Sequence, residues 1–437
     1  MEQAGPAESS IRLEVVEGPF QGTNFALTGH ESFVVGRSSR AHLRLPKKDP
    51  YFSRVHFLIE VNPPHCRLVD MHSTNGTRVN GSVVDEVRLQ DGDLVQGGNT
   101  VMRVRFLGGW STPELSVTAD FSRPAPVLPP LSATGKASGQ ASAGPSPGAG
   151  QNAAPPSLTV PGFRGLRELG RGGMGVIYYA ERCLDGQPVA IKVIRPAVTV
   201  SSREIQRFLR ETRILQQLSH PRIVPYYESG EAGGVLYFVM EYIDGCDAAE
   251  VLRQQGRLPI RLAVGWLCEA LEALQYAHDQ GFVHRDVKPA NLLIRRDDTC
   301  HLSDFGLARA YQASSMSGLT MLEDVGGTVP YMPPEQITHY REAKPPADQY
   351  AAAAALYHLL TGRFIFDFEG LSSRERLSTI LCDPPIPIRQ RRAEIPATLA
   401  DVIHKALDKN AMRRFASAGE MQRALEKALL ALPEEER

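Results

Sequence analysis

The sequence predicts a multidomain chain: an all-β sandwich, a flexible linker, and then an α+β bilobal domain. Three observations carry that prediction. Residues 11–107 hold many short strand-like runs punctuated by turn residues, the mark of a β-sandwich. From about 111 to 157 the chain turns rich in Pro, Ala, Ser and Gly, a composition that buries too little surface to offset its ordering entropy. After Pro161 strand-like runs come first and helical periodicity then dominates, which predicts a small sheet-rich lobe, a larger helical lobe and a cleft between them. The expected boundaries are 8–108, 109–160 and 161–430.

The strand-like runs of the first domain are IRLEVV, ESFVVG, RVHFLIEV, CRLVD, VRL and VMRVRFL, with turns at Asn75-Gly76, Asn80-Gly81, Asp91-Gly92 and Gly97-Gly98. In the second, VIYYAERC, PVAIKVI and VLYFVMEYI read as strands. Ser201 with Glu204 forms a capping box ahead of Ile205, Phe208, Leu209, Leu215 and Leu218. Leu262, Trp266, Leu267, Ala270, Leu271, Leu274 and Ala277 mark a further helix, stopped by Gly281.

Composition excludes several function classes. With 437 residues, 42% hydrophobic and 22% charged, the chain is globular in character and too long for one core. A net charge of −1 advertises no affinity for nucleic acid or anionic membrane. The six cysteines are scattered without a C-x-x-C pair, against a disulfide framework or structural zinc and in favour of a reducing compartment. The opening MEQAGPAESS lacks the blocks of a signal peptide. The best apolar stretch, Ala351 to Leu360, is too short to span a bilayer and contains His358. A cytoplasmic protein with no transmembrane segment and no nucleic-acid partner is expected.

Chemistry concentrates in four strings of the second domain. Gly170-Arg171-Gly172-Gly173-Met174-Gly175-Val176-Ile177 is a glycine loop whose backbone amides can approach phosphate oxygens. A strand follows it, which argues against a dinucleotide fold. Val189-Ala190-Ile191-Lys192 places a lysine on a strand to hold α- and β-phosphates, with Glu211 on the next helix to pin it. In His284-Arg285-Asp286-Val287-Lys288-Pro289-Ala290-Asn291, Asp286 suits proton acceptance from a hydroxyl and Asn291 suits a metal. Asp304-Phe305-Gly306 supplies a carboxylate for Mg²⁺ bridging nucleotide phosphates. Each string is short, but their order together is far beyond coincidence.

With these motifs, residues 163 to about 427 resemble the eukaryotic-like (Hanks-type) serine/threonine protein kinases, particularly the bacterial branch. The resemblance implies the bilobal protein-kinase fold with ATP and Mg²⁺ (or Mn²⁺) in the cleft and proteins as substrates. It implies Met240 as gatekeeper, Glu241 to Ile243 as the hinge at adenine, and Ile177, Ala190 and Leu293 around the base. It implies Lys288 at the γ-phosphate, Thr328 on the substrate-facing loop, Asp348 bracing the catalytic loop, and Arg414 as partner of Glu335. Thr320, eight residues before Thr328, resembles an autophosphorylation site whose phosphate would meet Arg285. The family's A-P-E string reads Pro333-Pro334-Glu335 here, and the segment after Asp348 is alanine-rich.

In the first domain four strings fall at ends of strand-like runs: Gly36-Arg37, Ser53-Arg54-Val55-His56, Ser73-Thr74-Asn75-Gly76-Thr77 and Val79-Asn80-Gly81. Arginine forks and hydroxyls together suit a phosphate. The pattern over residues 11–107 resembles the forkhead-associated (FHA) domain, a reader of phosphothreonine peptides. The resemblance implies that Arg37, Ser53, Arg54 and Thr74 contact phosphate, that Asn75 contacts the peptide backbone, and that Gly36 and His56 support the loops. Arg40, Arg44, Lys47 and Lys48 could steer phosphorylated partners.

A linker of about 47 residues spans roughly 35–40 Å, so the reader can reach its own chain, with Thr118 the best-placed ligand. Against an active protein kinase stand a scaffold that only binds phosphopeptides and a small-metabolite kinase. Lys192, Asp286, Asn291 and Asp304 are all retained, which disfavours the scaffold. A polypeptide-holding segment through Pro333-Pro334-Glu335 disfavours the metabolite kinase.

Overall fold

The computed structural model describes residues 10–28, 31–39, 41–45, 49–62, 65–108, 159–172, 175–194, 212, 214–232, 235–305, 328–338 and 343–431. The capping box at Ser201, the 111–157 segment with Thr118, and Thr320 lie outside the described residues.

Among the described residues the first domain has eleven strands: β1 (Ser10–Glu17), β2 (Asn24–Thr28), β3 (Glu31–Gly36), β4 (Leu43–Arg44), β5 (Phe57–Asn62), β6 (His65–Asp70), β7 (Thr77–Val79), β8 (Ser82–Val84), β9 (Glu86–Arg88), β10 (Leu94–Gly97) and β11 (Thr100–Leu107). They form two sheets, β2-β1-β11-β10-β7-β8 and β4-β3-β5-β6-β9. Strict alternation buries Ile11, Leu13 and Val15 of β1 against Phe57, Ile59 and Val61 of β5. The Asn80-Gly81 turn joins β7 to β8, with Val79 opposite Ser82 and positive φ at both turn residues (51° and 86°), the geometry a two-residue hairpin needs.

The second domain opens with an antiparallel sheet of β12 (Phe163–Gly172), β13 (Gly175–Arg182), β14 (Pro188–Ile194), β15 (Tyr226–Ala232) and β16 (Val235–Glu241), in the order β12-β13-β14-β16-β15. The helical part contains α1 (Ala248–Gln255), α2 (Ile260–Asp279), α3 (Pro334–Thr338), α4 (Pro345–Thr361), α5 (Ser373–Cys382), α6 (Ile388–Arg391), α7 (Ala397–Ala406) and α8 (Ala418–Leu430). A small sheet of β17 (Gly245–Asp247), β18 (Leu292–Arg295) and β19 (Cys300–Leu302) underlies the cleft. Helix α2 buries Trp266, Leu267, Ala270, Leu271, Leu274 and Ala277, and Gly281 follows it at φ 79°, as the periodicity predicts.

Several strands escape sequence reading: β2, β4, β7, β8, β10, β12, β15, β17, β18 and β19. Most are too short for alternation to register. Strands β12 (FRGLRELGRG) and β15 (YYESGEA) are the two edges of their sheet, where polar and glycine residues are tolerated and the apolar pattern fades. Among the described residues no helix is long and apolar enough to cross a membrane.

Candidate functional site

The catalytic cleft is built on an aspartate that is itself buried. Asp348, at the start of α4, is fully buried and accepts hydrogen bonds from the backbone N–H of His284 (2.8 Å) and Arg285 (2.7 Å), and lies 2.8 Å from His278 Nε2. Burial alone would raise its pKa; the hydrogen bond and charge of His278, with His284 and the Arg285 N–H, hold it below the ordinary carboxylate value. These bonds pin Arg285 at φ 69°, and Gln336 Nε2 of α3 donates to the Arg285 carbonyl at 2.8 Å. The next residue, Asp286, is thereby aimed into the cleft.

Three groups converge on Asp286. Thr328 Oγ1 donates to Oδ1 at 3.0 Å, Lys288 Nζ donates to Oδ2 at 2.8 Å, and Lys288 also reaches Thr328 Oγ1 at 2.8 Å. Asn291 Nδ2 donates to the Asp286 carbonyl at 2.7 Å and to Oδ2 at 3.1 Å. The Ser303 N–H donates to the Asn291 carbonyl at 2.9 Å, which ties this loop to Asp304. Lys192 lies opposite Ile177 and Phe238 in the sheet, and its Nζ stands 2.6 Å from Asp304 Oδ2. Burial pushes Asp304 up, yet the charge and hydrogen bond of Lys192, aided by Lys288 and His284, bring it below the usual range. The expected partner of Lys192, Glu211, lies outside the described residues; the partner seen is Asp304.

The glycine loop is the hairpin between β12 and β13. Gly170 pairs with Ile177, Arg171 with Val176 and Gly172 with Gly175, while Gly173 and Met174 lie outside the described residues. A Cβ on Gly175 would sit 1.9 Å from the Val193 carbonyl oxygen, so only glycine lets β13 approach β14 there. Arg171 turns back to Glu168 at 2.8 Å. At the far end Ala190 pairs with Met240 and Val189 with Glu241; the Glu241 carboxylate is engaged by Arg295. Ile243 is buried, and Ile177 and Leu293 are half-buried. A pocket that sequence reasoning missed opens beside Met240, lined also by Leu215, Val224, Phe238, Asp304 and Phe305. Its walls come from distant segments with no shared motif. Arg414 and Glu335 pair as expected, at 2.5 and 2.8 Å.

The loops of the first domain gather a second polar cluster. The Arg37 N–H donates to the Ser53 carbonyl at 3.0 Å, and its Nε to the Phe52 carbonyl. Thr74 N–H donates to Ser53 Oγ at 3.0 Å, and Asn75 Nδ2 donates to the Tyr51 carbonyl at 2.7 Å. His56 is buried and accepts from the Ser53 N–H at 2.9 Å. A Cβ on Gly36 would stand 2.2 Å from the Arg54 carbonyl oxygen. Arg37, Ser53, Thr74 and Asn75 are thus one assembly, with Arg54 exposed beside it. Asn80-Gly81 stands apart, braced by Asp93 at 2.8 Å. Tyr51, 55% exposed at the rim, belongs to no motif and was missed. Of the basic residues expected to steer ligands, Arg44 is exposed on β4, and Arg40, Lys47 and Lys48 lie outside the described residues.

A glycine hairpin, a strand lysine, and an aspartate held by lysine, threonine and asparagine define a phosphotransferase cleft between two lobes. The family profile of the protein kinase domain matches residues 163–428, and that of the FHA domain matches residues 33–98. The chain belongs to the protein kinase family. Among curated proteins it is 39% identical over 266 residues to the serine/threonine-protein kinase PknD of Mycobacterium tuberculosis, covering 60% of this chain and 39% of that one. It is 34% identical over 260 residues to PknB of Mycolicibacterium smegmatis, covering 58% and 41%. The match therefore spans about two-fifths of the length of these relatives. A crystal structure of the Mycobacterium tuberculosis PknI kinase domain aligns with TM-score 0.50 at 28% identity, over 63% of this chain and 100% of that one. Rad53 1–466, solved in complex with AMP-PNP, aligns over 94% of this chain and 98% of that one, with TM-score 0.50 at 21% identity, a likeness of fold.

Proposed function

We propose that the chain is a serine/threonine protein kinase that transfers the γ-phosphoryl group of ATP to protein Ser/Thr hydroxyls, its own included. In this reading a reader over 8–108 recruits phosphothreonine-bearing partners or the chain's own phosphorylated linker, joined through 109–160 to a kinase over 161–430. The observation that carries the reading is the Asp286–Lys288–Thr328 cluster. Asp286 orients the substrate hydroxyl and accepts its proton as the oxygen attacks the γ-phosphorus; Lys288 draws the γ-phosphate oxygens toward that point. Lys192 exchanges its Asp304 contact for the α- and β-phosphates. Asp304 offers a carboxylate, and Asn291, whose amide nitrogen is committed to Asp286, offers its amide oxygen. This oxygen-only donor set suits Mg²⁺, with Mn²⁺ as the alternative. The cation supplies neutralisation of phosphate charge.

The six cysteines carry free thiols, which suits the cytoplasm. The reader is supported by Arg37, Ser53, Thr74 and Asn75 meeting in one cluster. Thr320 is the activating site in this reading, and Arg285 would receive its phosphate. Labelled ATP with Mg²⁺ tests the kinase. Wild type should modify itself and an added protein, and Asp286→Asn should lose at least about 10²-fold in rate. Equal labelling by the variant would remove Asp286 from the chemistry.

A further inference from the structure

Strands β3, β5 and β6 carry apolar residues on both faces. Phe33, Val35 and Ile59 fill the sandwich, while Val34, Leu58 and Val69 alternate to the outer face and are buried in the same cluster as the helical lobe. Polar contacts frame that patch. Arg54 Nη1 lies 2.9 Å from Asp383 Oδ1. Arg374 Nη1 donates to the carbonyls of Asp70 and Asp85 at 3.3 and 3.0 Å, and its Nη2 stands 3.6 Å from Glu86. Cys382 hydrogen-bonds Ser38.

Asp383 follows directly on α5, and Arg374 lies in its first turn. Arg54 is one of the four residues that the FHA reading assigns to phosphate, and its guanidinium meets a carboxylate of its own chain. A carboxylate brings one charge and two oxygens to an arginine; a phosphothreonine brings about −1.5 to −2 charges and three. The pair is partly exposed, at 65% and 39%, so solvent and a stronger anion can reach it.

We propose that the phosphopeptide face of the FHA domain and the end of α5 compete for the same arginine. Asp383 holds Arg54 until a phosphothreonine peptide displaces it and frees the outer face of the sheet from the helical lobe. The proposal rests on the FHA reading above. Its reach into the cleft is short: β3 packs beside α3, and Gln336 of α3 holds the Arg285 carbonyl next to Asp286.

Arg374 separates the two ideas, because it meets the reader through backbone carbonyls and Glu86, none of them in the phosphate cluster. A phosphothreonine peptide selected from an oriented library, with its unphosphorylated form as control, is titrated into the full chain. Wild type, Arg374→Ala and Asp383→Asn are compared by anisotropy, with hydrogen exchange followed over residues 372–383. Neutralising the internal competitor (Asp383→Asn) or loosening the contact that holds it in place (Arg374→Ala) should each tighten binding about threefold to tenfold, since less of the face is masked. In wild type the peptide should raise exchange in α5. Equal affinity in all three chains, with exchange unmoved by bound peptide, overturns the competition and leaves the reader standing. No phosphate-dependent binding by any of the three overturns the reader itself, and the competition with it.

Discussion

Arg285 and Asp304 stand at φ 69° and 64°, a region that costs a non-glycine residue roughly 1 kcal/mol or more. Each is over-determined: Arg285 by Asp348 and Gln336, Asp304 by Lys192. Two of the five positive-φ non-glycine residues among the described residues thus sit at or next to the cleft carboxylates Asp286 and Asp304. Gly36 makes a different demand at the same scale. It has no positive φ, but its missing Cβ admits the Arg54 carbonyl at a distance no other residue allows. Gly36→Ala should therefore push the Ser53–Arg54 loop off β3, cutting phosphopeptide affinity at least about tenfold and stability by about 2 kcal/mol. Peptide titration and thermal unfolding read the two effects. A variant binding as wild type does would show that the loop tolerates displacement.

At the scale of elements, α4 explains the alanine run that departs from the family. Ala351 to Ala355 are all buried, as are Leu356, Tyr357, Leu359 and Leu360. A helix enclosed on every side has no polar face, and small side chains let α2, α7 and α8 approach it. Ala353→Leu should overpack this crossing and lower stability by about 1–3 kcal/mol, read as a fall in denaturation midpoint. Unchanged stability would mean that the helix has slack around it. The extra proline of Pro333-Pro334-Glu335, Pro333, is harmless for a local reason: it stands immediately before α3, where no intrahelical N–H is lost, and its carbonyl still accepts from the Gln336 N–H at 3.0 Å.

For the whole molecule, acid sensitivity follows from buried histidines. Burial drives His358 from 6.5 to about 4, and its Nδ1 hydrogen-bonds the Tyr331 hydroxyl at 2.7 Å. The folded state keeps the ring neutral and the unfolded state protonates it below about pH 6.5. Its contribution is thus complete above that pH and is lost as pH falls toward about 4, on the order of 3 kcal/mol. His301, also lowered to about 4 by burial, acts in the same sense. Calorimetry at pH 7.5 and pH 5 should show the melting temperature falling in wild type and falling less in His358→Gln. An equal drop in both would place the sensitivity elsewhere.

Much of this was legible in the residues alone. Phosphate, magnesium and acid–base chemistry each demand particular side chains at short spacing, so Lys192, Asp286, Asn291, Asp304 and the glycine loop announce themselves, as do Arg37, Ser53 and Thr74. Helix α2 declares itself because its buried stripe repeats along 20 residues. Edge strands β12 and β15 did not, since solvent on one side erases the pattern. Which partner each charge takes was decided only by tertiary structure: Lys192 with Asp304, Arg54 with Asp383, and Asp348 with two backbone amides. Side-chain pairing across 63 to 329 positions of chain leaves no local trace, because it depends on where separate elements come to rest. Strands β3, β5 and β6 are buried on both faces because the helical lobe covers the outer one, which only the folded chain decides.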